Sequence, residues 1–292
     1  MRILVTGGSG RIGRHAVDRL VRAGHDVLAV EQTPSGASAP DLLTAATEVV
    51  GDAADPALIG PLMAGVDAVV HLAAIPSPVG STARELLLAN SLTTLTVLEA
   101  AGEHGVKGVV LASSISILGM AWSAEWMQPL SLPVDETHPL RATEGYALSK
   151  ENDEAAARMA SRRWGLPTVC LRFPFTETAE KIGERRADTA SEERLAKELW
   201  AYLDVQDAAR AIELAIDAMV GGALRGSTVI NVVADDVLLD RPLAELLAEW
   251  HPDVPFSAEE YRLRGAYDPA RAQELLGFEA AHLVCHNTKR HC

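Results

Sequence analysis

A tyrosine and a lysine lie four residues apart, at Tyr146 and Lys150. If the segment is helical, both side chains share one face. A tyrosine is a poor base at neutral pH because its ordinary pKa is about 10, and a cation a few ångströms away favours the phenolate. The pair therefore has the chemistry to exchange a proton with a substrate oxygen. The chain has four tyrosines and five lysines in 292 residues, so this spacing is rare by chance. The alternative is a solvated helix pair.

Glycines dominate the segment from Gly7 to Gly13, which follows the apolar run at residues 3–5. The segment satisfies G-x-G-x-x-G through Gly8, Gly10 and Gly13, and G-x-x-G-x-x-G when Gly7 replaces Gly8. Glycines permit a tight turn and a close approach of the backbone to a pyrophosphate, and the helix that follows offers unpaired N–H groups. The pattern predicts a dinucleotide site, with an ordinary strand–helix turn as the alternative.

An acidic residue, Glu31, ends the next apolar run, 18 residues after Gly13. A carboxylate at this point accepts hydrogen bonds from the adenosine ribose and repels a 2′-phosphate, which favours NAD over NADP. Arg11 and Arg14 leave NADP possible, because either cation has the charge to bind that phosphate. Their other interpretation is that of solvated helix residues.

The apolar runs predict the elements that must position these residues. Six buried strands are expected near residues 3–5, 27–30, 49–50, 68–72, 108–112 and 167–171. Helices are expected near residues 12–23, 55–64, 82–104 and 146–164, with a surface loop over 32–46. Strands that alternate with helices indicate a parallel sheet covered on both faces, which is a doubly wound α/β fold of the Rossmann type.

The alternation weakens after Arg172. Residues 176–198 are highly charged, and helices are expected near 207–219, 242–250 and 269–276. We therefore expect residues 1–172 to form the dinucleotide-binding domain. Residues 173–292 are expected to form a smaller, mainly helical substrate-binding region that is interleaved with the sheet.

The glycine segment, Asp52, Ser114 and the Tyr146–Lys150 pair together resemble the extended short-chain dehydrogenase/reductases, a group that includes the NAD-dependent epimerase/dehydratase enzymes. The resemblance runs from residue 2 to about residue 278. It implies that Tyr146 exchanges a proton with the substrate oxygen, that Ser114 hydrogen-bonds this oxygen, and that Lys150 binds the nicotinamide ribose. The implied cofactor contacts are Gly7, Gly10, Arg11, Ile12, Gly13, Glu31, Asp52, Ala53, Leu72, Ala73, Ala74, Asn90 and Lys150.

Four residues in these motifs also have a simpler interpretation. Asp52 fits a turn, Asn90 a hydrogen-bonded core amide, and His71 a packed histidine. Asp207 lies in a segment, Asp204 to Ala209, that resembles a late family motif, and it also fits a helix N-cap.

The resemblance also narrows the reaction. Sugar dehydratases of this family usually carry an Asp-Glu pair where this chain has Ile115 and Ser116. Nucleotide-sugar epimerases usually carry an asparagine shortly after the position of Arg172, where this chain continues Phe173-Pro174-Phe175. These departures favour net oxidation or reduction of a secondary alcohol or ketone in a sugar-like or other small polar substrate. Epimerisation on tightly held NAD is the alternative, and a non-catalytic dinucleotide sensor is an alternative of another class.

The candidate substrate contacts are Ser116, Trp122, Phe173 and Arg185. Residues 119–145 concentrate large apolar side chains that suit a substrate lid, packing on the following helix, or a subunit contact; they are Met120, Trp122, Trp126 and Met127. Arg185, Arg186 and Arg194 suit an anionic substrate group. The favoured alternative is pairing on a solvated helix with neighbouring acids, which are Glu180, Glu184, Glu192 and Glu193.

The composition excludes several partners. A formal net charge of −14 argues against nucleic acid or an anionic membrane, since both require concentrated Lys and Arg. No run approaches 18 apolar residues, so no membrane span is predicted. The three cysteines Cys170, Cys285 and Cys292 are too widely spaced for a disulfide framework, and we infer a reducing, cytoplasmic setting.

The last residues are rich in potential metal ligands. They include His282, Cys285, His286, His291 and Cys292, but the loop spacing of a zinc site is absent, so no metal is predicted. We expect a frayed tail there. The family resemblance also implies a homodimer formed through the helices at 82–104 and 146–164.

Overall fold

A parallel sheet of seven strands forms the centre of the protein in a computed structural model that describes residues 1–34, 46–188, 192–254 and 264–284. Its strands are β1 (Arg2–Thr6), β2 (Asp26–Glu31), β3 (Thr47–Val50), β4 (Ala68–His71), β5 (Val109–Ser114), β6 (Thr168–Phe173) and, later in the chain, β9 (Ser227–Asn231). The order across the sheet is β3-β2-β1-β4-β5-β6-β9. Two short strands, β7 (Phe175–Glu177) and β8 (Tyr202–Asp204), form a separate parallel pair.

Helices cover both faces of the sheet. They are α1 (Arg11–Arg22), α2 (Pro56–Leu62), α3 (Ala83–Leu86), α4 (Leu92–Glu103), α5 (Gly145–Trp164), α6 (Ala179–Ala187), α7 (Glu192–Lys197), α8 (Val205–Val220), α9 (Leu243–Trp250) and α10 (Ala270–Leu276). One wide π-helical turn, Leu87–Ser91, joins α3 to α4. The helix predicted over 82–104 is therefore one segment with an irregular turn in its middle.

The strands bury side chains on both faces because their residues alternate between two apolar layers. Ile3 and Val5 of β1 point into a cluster shared with α1, α8 and α10. Leu4, between them, points into a second cluster shared with α2, α4 and α5. This two-sided burial confirms the predicted doubly wound fold.

The sheet continues past residue 172. All six predicted strands are present, but the seventh, β9, lies in the C-terminal half and pairs with β6. The short pair β7 and β8 was also missed. The sequence signal was weak because β9 is an edge strand whose only strongly apolar residues are Val229 and Ile230. Most of the predicted surface loop, residues 35–45, lies outside the described residues.

A third apolar cluster supports the region beside the sheet. It gathers Leu132, Trp200, Tyr202, Leu238 and Leu246, each of which is 6 % exposed or less. Among the described residues, no helix is both long and apolar enough to cross a membrane.

Candidate active site

The turn between β1 and α1 follows the tight path that its glycines predict. Gly7 has a φ of +70°, and a Cβ at this position would lie 2.8 Å from the backbone nitrogen of Ala73. A Cβ at Gly13 would overlap the carbonyl oxygen of Gly7. Gly10 precedes α1, and no side chain caps the first N–H groups of this helix. The turn thus has free donors and no side chains in the way, and it fits a dinucleotide pyrophosphate.

Glu31, at the end of β2, lies against this turn. Its carboxylate accepts a hydrogen bond from the backbone N–H of Ser9 at 2.7 Å and another from the Ser9 hydroxyl. Burial raises the pKa of Glu31, although the hydrogen bonds from Ser9 oppose that rise. Arg11 is held by Glu177 of β7, with 2.6 Å between nitrogen and oxygen. A buried carboxylate and an engaged arginine favour NAD over NADP here.

Asp52 and Ala53 follow β3 and lie away from the reactive residues. Asp52 Oδ1 accepts a hydrogen bond from the backbone N–H of Ala54 at 2.9 Å, which is a turn interaction. Ala53 is 6 % exposed and belongs to the apolar cluster beneath α2 and α4. Their predicted contact with the cofactor stays a prediction.

The segment after β4 approaches the glycine turn. Leu72 and Ala74 line the cavity described below. Ala73 lies between them, and its backbone N–H points to Thr6 Oγ1 at 3.3 Å. His71, the last residue of β4, is fully enclosed and hydrogen-bonded to Thr6 and Thr94, so it is a packed histidine.

Asn90 does not lie at the cavity where the sequence interpretation placed it. It lies in the π-helical turn and is 1 % exposed. Its Oδ1 accepts from the N–H of Ile75 at 2.8 Å, and its Nδ2 donates to Ile75 O at 3.1 Å and to Ser149 Oγ at 3.0 Å. Its amide links the loop after β4 to α5, which fits the simpler interpretation as a hydrogen-bonded core amide, and its predicted cofactor contact stays a prediction.

Tyr146 and Lys150 lie in the first two turns of α5, on the face toward the sheet. Glu144 caps this helix, because its carboxylate accepts from the N–H groups of Tyr146 and Ala147. Lys150 Nζ lies 6.0 Å from the centre of the Tyr146 ring and donates to the carbonyl oxygen of Ala112 at 3.0 Å. Both side chains are buried, at 8 % and 4 % exposed.

Lys150 also has a buried partner on its own helix. Its Nζ lies 3.1 Å from Asp153 Oδ2. Burial lowers the pKa of Lys150, but the Asp153 carboxylate, together with Tyr146 and Cys170, opposes this effect, and the net pKa is raised. Lys150 is therefore a cation throughout the neutral pH range.

Ser114 ends β5 and faces the same space. Its hydroxyl donates to Ser116 Oγ at 3.1 Å and accepts from the backbone N–H of Ser116 at 3.1 Å. The neighbouring Ser113 also lines the cavity described below, but its hydroxyl donates to Glu154 Oε1 at 2.8 Å.

A cavity of about 410 Å³ lies at the carboxyl ends of β1, β4, β5 and β6. The predicted site residues that line it are Gly7, Gly10, Arg11, Ile12, Gly13, Leu72, Ala74, Ser114, Ser116, Trp122, Tyr146, Lys150, Phe173 and Arg185. Those that do not line it are Glu31, Asp52, Ala53, Ala73 and Asn90. Lining residues that were not predicted include Pro76, Ser77, Val79, Pro174, Phe175, Thr176 and Glu198. They lie in the segments that follow β4, β6 and α7. These segments are distant in sequence and meet only in the folded chain.

Two arginines of the cavity wall converge on Glu198. Arg185 Nη2 lies 2.6 Å from Glu198 Oε2, and Arg194 Nε lies 3.5 Å from Oε1. Their guanidinium groups lie over Phe175 and Trp122, at 3.9 Å and 4.6 Å from the ring centres. Both arginines thus pair with an acid, and Arg194 does so at the i to i+4 spacing, but the partner is Glu198 and not one of the acids named from the sequence.

Of the four large apolar side chains singled out in 119–145, Trp122 lines the cavity and the other three do not. Met120 is buried in the third apolar cluster, and Met127 packs against it. Trp126 stacks on His251, with 5.1 Å between ring centres. The lid interpretation therefore rests on Trp122 alone.

Asp207 is not a helix N-cap. The cap of α8 is Asp204, which accepts from the N–H of Gln206 at 2.7 Å. Asp207 is 1 % exposed, and its Oδ2 accepts from the N–H groups of Ala281 and His282. The start of the C-terminal segment is thereby attached to α8, whereas residues 285–292 lie outside the described part. Within the described part, no group of three potential metal ligands occurs.

The fold is that of an extended short-chain dehydrogenase/reductase. Residues 3–232 match the NAD dependent epimerase/dehydratase family, and the chain belongs to that family. The prediction of NAD as the cofactor is thereby confirmed at the level of the family.

Known proteins that the chain is similar to differ in their reactions. A UDP-glucose 4-epimerase from Halalkalibacterium halodurans is 30 % identical over 200 residues, which cover 67 % of this chain and 57 % of that protein. A 4-hydroxy-2-methyl-3-oxo-4-farnesyl-3,4-dihydroquinoline-1-oxide ketoreductase from Stigmatella aurantiaca is 34 % identical over 177 residues, which cover 60 % and 50 %. The chain thus spans slightly more than half the length of these curated relatives.

A solved structure matches the described fold over nearly its whole length. It is a short-chain dehydrogenase/reductase superfamily protein from Agrobacterium tumefaciens with bound NAD. The TM-score is 0.72 and the identity 26 %, and the match covers 97 % of this chain and 93 % of that one.

Proposed function

We propose that the chain is an NAD-dependent oxidoreductase that transfers a hydride between nicotinamide and a carbon that bears a secondary alcohol or a ketone. The supporting observation is the position of Ser114, Tyr146 and Lys150 around one cavity that also contains the glycine turn. A volume of about 410 Å³ is within the range of small-molecule sites. The substrate is a sugar-like or other small polar molecule.

The bound nicotinamide supplies the hydride acceptor or donor. The turn Gly7–Gly13 and the start of α1 would hold the pyrophosphate, and Glu31 the adenosine ribose. After its bonds to Ala112 O and Asp153, Lys150 Nζ retains one N–H for the nicotinamide ribose.

Tyr146 and Ser114 act on the substrate oxygen. In the oxidative direction the hydroxyl proton passes to Tyr146 Oη, while the hydride leaves the carbon. In the reductive direction Tyr146 returns the proton to the carbonyl oxygen. Ser114 Oγ, released from Ser116, would hydrogen-bond the same oxygen and keep it beside the phenol.

The cavity wall argues against elimination chemistry. Ile115 and Ser116 hold the positions where a carboxylate pair would be needed, and Ile115 is 4 % exposed. Among the described residues that line the cavity, the one carboxylate is Glu198, and two arginines hold it. No free acid and base therefore flank the substrate for dehydration.

The same wall suggests the charge of the substrate. Arg185 and Arg194 carry two positive charges against the one negative charge of Glu198, so the cluster has a net positive charge. We propose that it receives a carboxylate or a phosphate of the substrate.

The relatives named UDP-glucose 4-epimerase make epimerisation the second candidate. An epimerase oxidises and re-reduces one carbon on retained NAD, so it yields no net NADH. A sensor that binds NAD without turnover is the third candidate, and the shared position of the three reactive residues argues against it.

The test is to incubate the protein with NAD or NADH and a panel of aldoses, sugar acids, ketones and UDP-sugars. Net change of nicotinamide absorbance with a panel member supports the proposal. Conversion of a UDP-sugar without net NADH, together with NAD retained on the purified protein by mass spectrometry, supports the epimerase. Turnover of no panel member, with NAD bound, supports the sensor.

We further propose a homodimer through α4 and α5. Leu88, Leu92 and Leu148 lie on or beside these helices and are 53 %, 48 % and 40 % exposed, which is unusual for large apolar side chains. Analytical ultracentrifugation tests this proposal: Leu92→Glu is expected to shift the mass from two chains to one.

A further inference from the structure

Asp153 is a buried carboxylate directly behind the reactive pair. It lies one turn after Lys150 on α5, and the side chains of Lys150 and Asp153 are 5 % and 3 % exposed. Asp153 Oδ2 lies 3.1 Å from Lys150 Nζ, whereas Oδ1 has no hydrogen-bond partner in the described part of the chain. Asp153 does not line the cavity, so it acts on the site through Lys150.

The charges around this pair are few. From β4, His71 faces it as a neutral ring, because burial lowers the pKa of His71 to about 4. From β6, Cys170 faces it as a neutral thiol, because burial raises the pKa of Cys170. Glu154, the next residue of α5, is neutralised by Arg172. Glu144, at the start of α5, places a partly exposed carboxylate on the backbone N–H of Tyr146. Lys150 and Asp153 are therefore the two buried charges beside the Tyr146 ring that have no other ionic partner, and they sum to zero.

The effect on Tyr146 follows from this sum. A lone buried ammonium 6.0 Å from the ring would stabilise phenolate strongly. With Asp153 beside it, the ammonium stays charged and fixed in place, but its field at the phenol is partly cancelled. The phenol then keeps its proton to a higher pH than a lone lysine would allow.

We propose that Asp153 is a positioning residue that holds Lys150 and compensates its charge, so that Tyr146 is kept as a proton donor suited to carbonyl reduction at neutral pH. This inference rests on the proposed function for the role of Tyr146. Asp153 does not change the equilibrium of the reaction. Asp153 sets the pH range in which each direction of the reaction runs. Neutralising its carboxylate is expected to move the pH at which reduction is lost and the pH at which oxidation begins to lower values.

The experiment compares the full-length parent with Asp153→Asn. Ultraviolet absorbance of phenolate is followed against pH, and the signal of Tyr146 is isolated by subtracting Tyr146→Phe in each background. The onset of Tyr146 phenolate absorbance is expected about one pH unit lower in Asp153→Asn, over the pH range in which carbon-13 NMR shows Lys150 of that variant still charged. Glu151→Gln is the matched control, since it removes one negative charge from a less buried position on the same helix, and its onset is expected at the parent's pH.

An unchanged onset of phenolate absorbance in an Asp153→Asn protein whose Lys150 is still charged overturns the inference. Loss of the Lys150 charge in that variant supports the part of the inference in which Asp153 keeps the ammonium charged. The titration needs no substrate, so failure of the proposed function would show instead as absent turnover with the titration shift intact. A second measurement uses the parent alone, in case Asp153→Asn does not fold. Carbon-13 NMR follows the five lysines against pH, and Lys150→Arg assigns the Lys150 signal. Lys150 is expected to keep its charge to a higher pH than an ordinary lysine, and loss of its proton at a lower pH than that overturns the inference.

Where substrate is in hand, pH profiles add a further readout. The loss of reduction and the onset of oxidation are both expected about one pH unit lower in Asp153→Asn. If Asp153 had a purely structural role, Asp153→Asn would lower the yield of folded protein and leave the pH values for the loss of reduction and the onset of oxidation unchanged. That result contradicts the inference.

Discussion

Arg172 and Glu154 form a two-pronged ion pair between β6 and α5. Nε lies 2.8 Å from Oε1 and Nη2 lies 2.9 Å from Oε2, and the two side chains are 3 % and 0 % exposed. Ser113 donates a further hydrogen bond to Oε1. The pair fixes the rotation of α5 against the sheet, and α5 carries Tyr146 and Lys150.

Glu154→Gln is expected to lower the free energy of unfolding by about 3–5 kcal/mol, because it leaves the Arg172 guanidinium buried without a counter-charge. Urea denaturation followed by circular dichroism measures this loss. Glu213→Gln is the control, since Glu213 pairs with Arg19 at a partly exposed position, and a loss within about 1 kcal/mol is expected there. Equal losses in the two variants would contradict the role of the buried pair.

The glycine turn gives a binding prediction. Gly13→Ala is expected to abolish NAD binding, because its Cβ would overlap the backbone of Gly7 and push the turn apart. Isothermal titration calorimetry measures the affinity. Gly60→Ala is the control, since a Cβ at Gly60 meets nothing within 4 Å, and it is expected to bind NAD like the parent. Retained affinity in Gly13→Ala would show that the turn does not contact the cofactor.

The residues that the sequence located best are those whose signal is local. The turn after β1, Ser114 at the end of β5, and the Tyr146–Lys150 spacing each depend on one strand or one helix, so contiguous sequence predicts them. Arg185 lies on α6, and its partner Glu198, 13 residues later, lies just after α7. The i to i+4 rule considers only acids close in sequence, so it assigned Arg185 the wrong partners. Such pairings are decided by how the helices pack.

Asn90 and β9 show two places where contiguous sequence is ambiguous. An amide has the same sequence signature whether it meets a ligand or the protein, and here Ile75 and Ser149 occupy it. Strand β9 is recognisable only once β6 is present to pair with it, because an edge strand with polar ends has little periodicity of its own.

Tyr146→Phe tests the proton-transfer role. The variant removes the hydroxyl and keeps the ring, so turnover is expected to fall by about 10²–10⁴-fold while NAD affinity stays within about threefold. Steady-state kinetics and calorimetry separate the two effects. A Tyr146→Phe protein with full turnover would exclude Tyr146 as the acid and base.

Arg185 tests the charge of the substrate. With an anionic substrate, Arg185→Gln is expected to raise KM by about tenfold or more, which corresponds to one charge-assisted hydrogen bond, and to leave kcat nearly unchanged. Arg186→Gln is the control, because Arg186 pairs with Asp240 and does not line the cavity. Equal KM values for the two variants would place the anionic group elsewhere.

His71 makes stability depend on pH, and the sign follows from its burial. Burial lowers the pKa of His71 from 6.5 to about 4, so the folded protein holds the neutral ring between Thr6 and Thr94 while the unfolded chain binds a proton below pH 6.5. The unfolded state gains protons first as the pH falls, and stability is therefore lost with acidification from about pH 7 to pH 4.

Between pH 7 and pH 5, this group alone is expected to lower the free energy of unfolding by about 2 kcal/mol. In His71→Asn the fall over the same interval is expected to be smaller by that amount, whatever the variant's stability at pH 7. His104→Asn is the control, because it removes an exposed histidine where α4 ends. Urea denaturation at the two pH values measures all three proteins, and an identical fall in His71→Asn and the parent would show that His71 is protonated in the folded state.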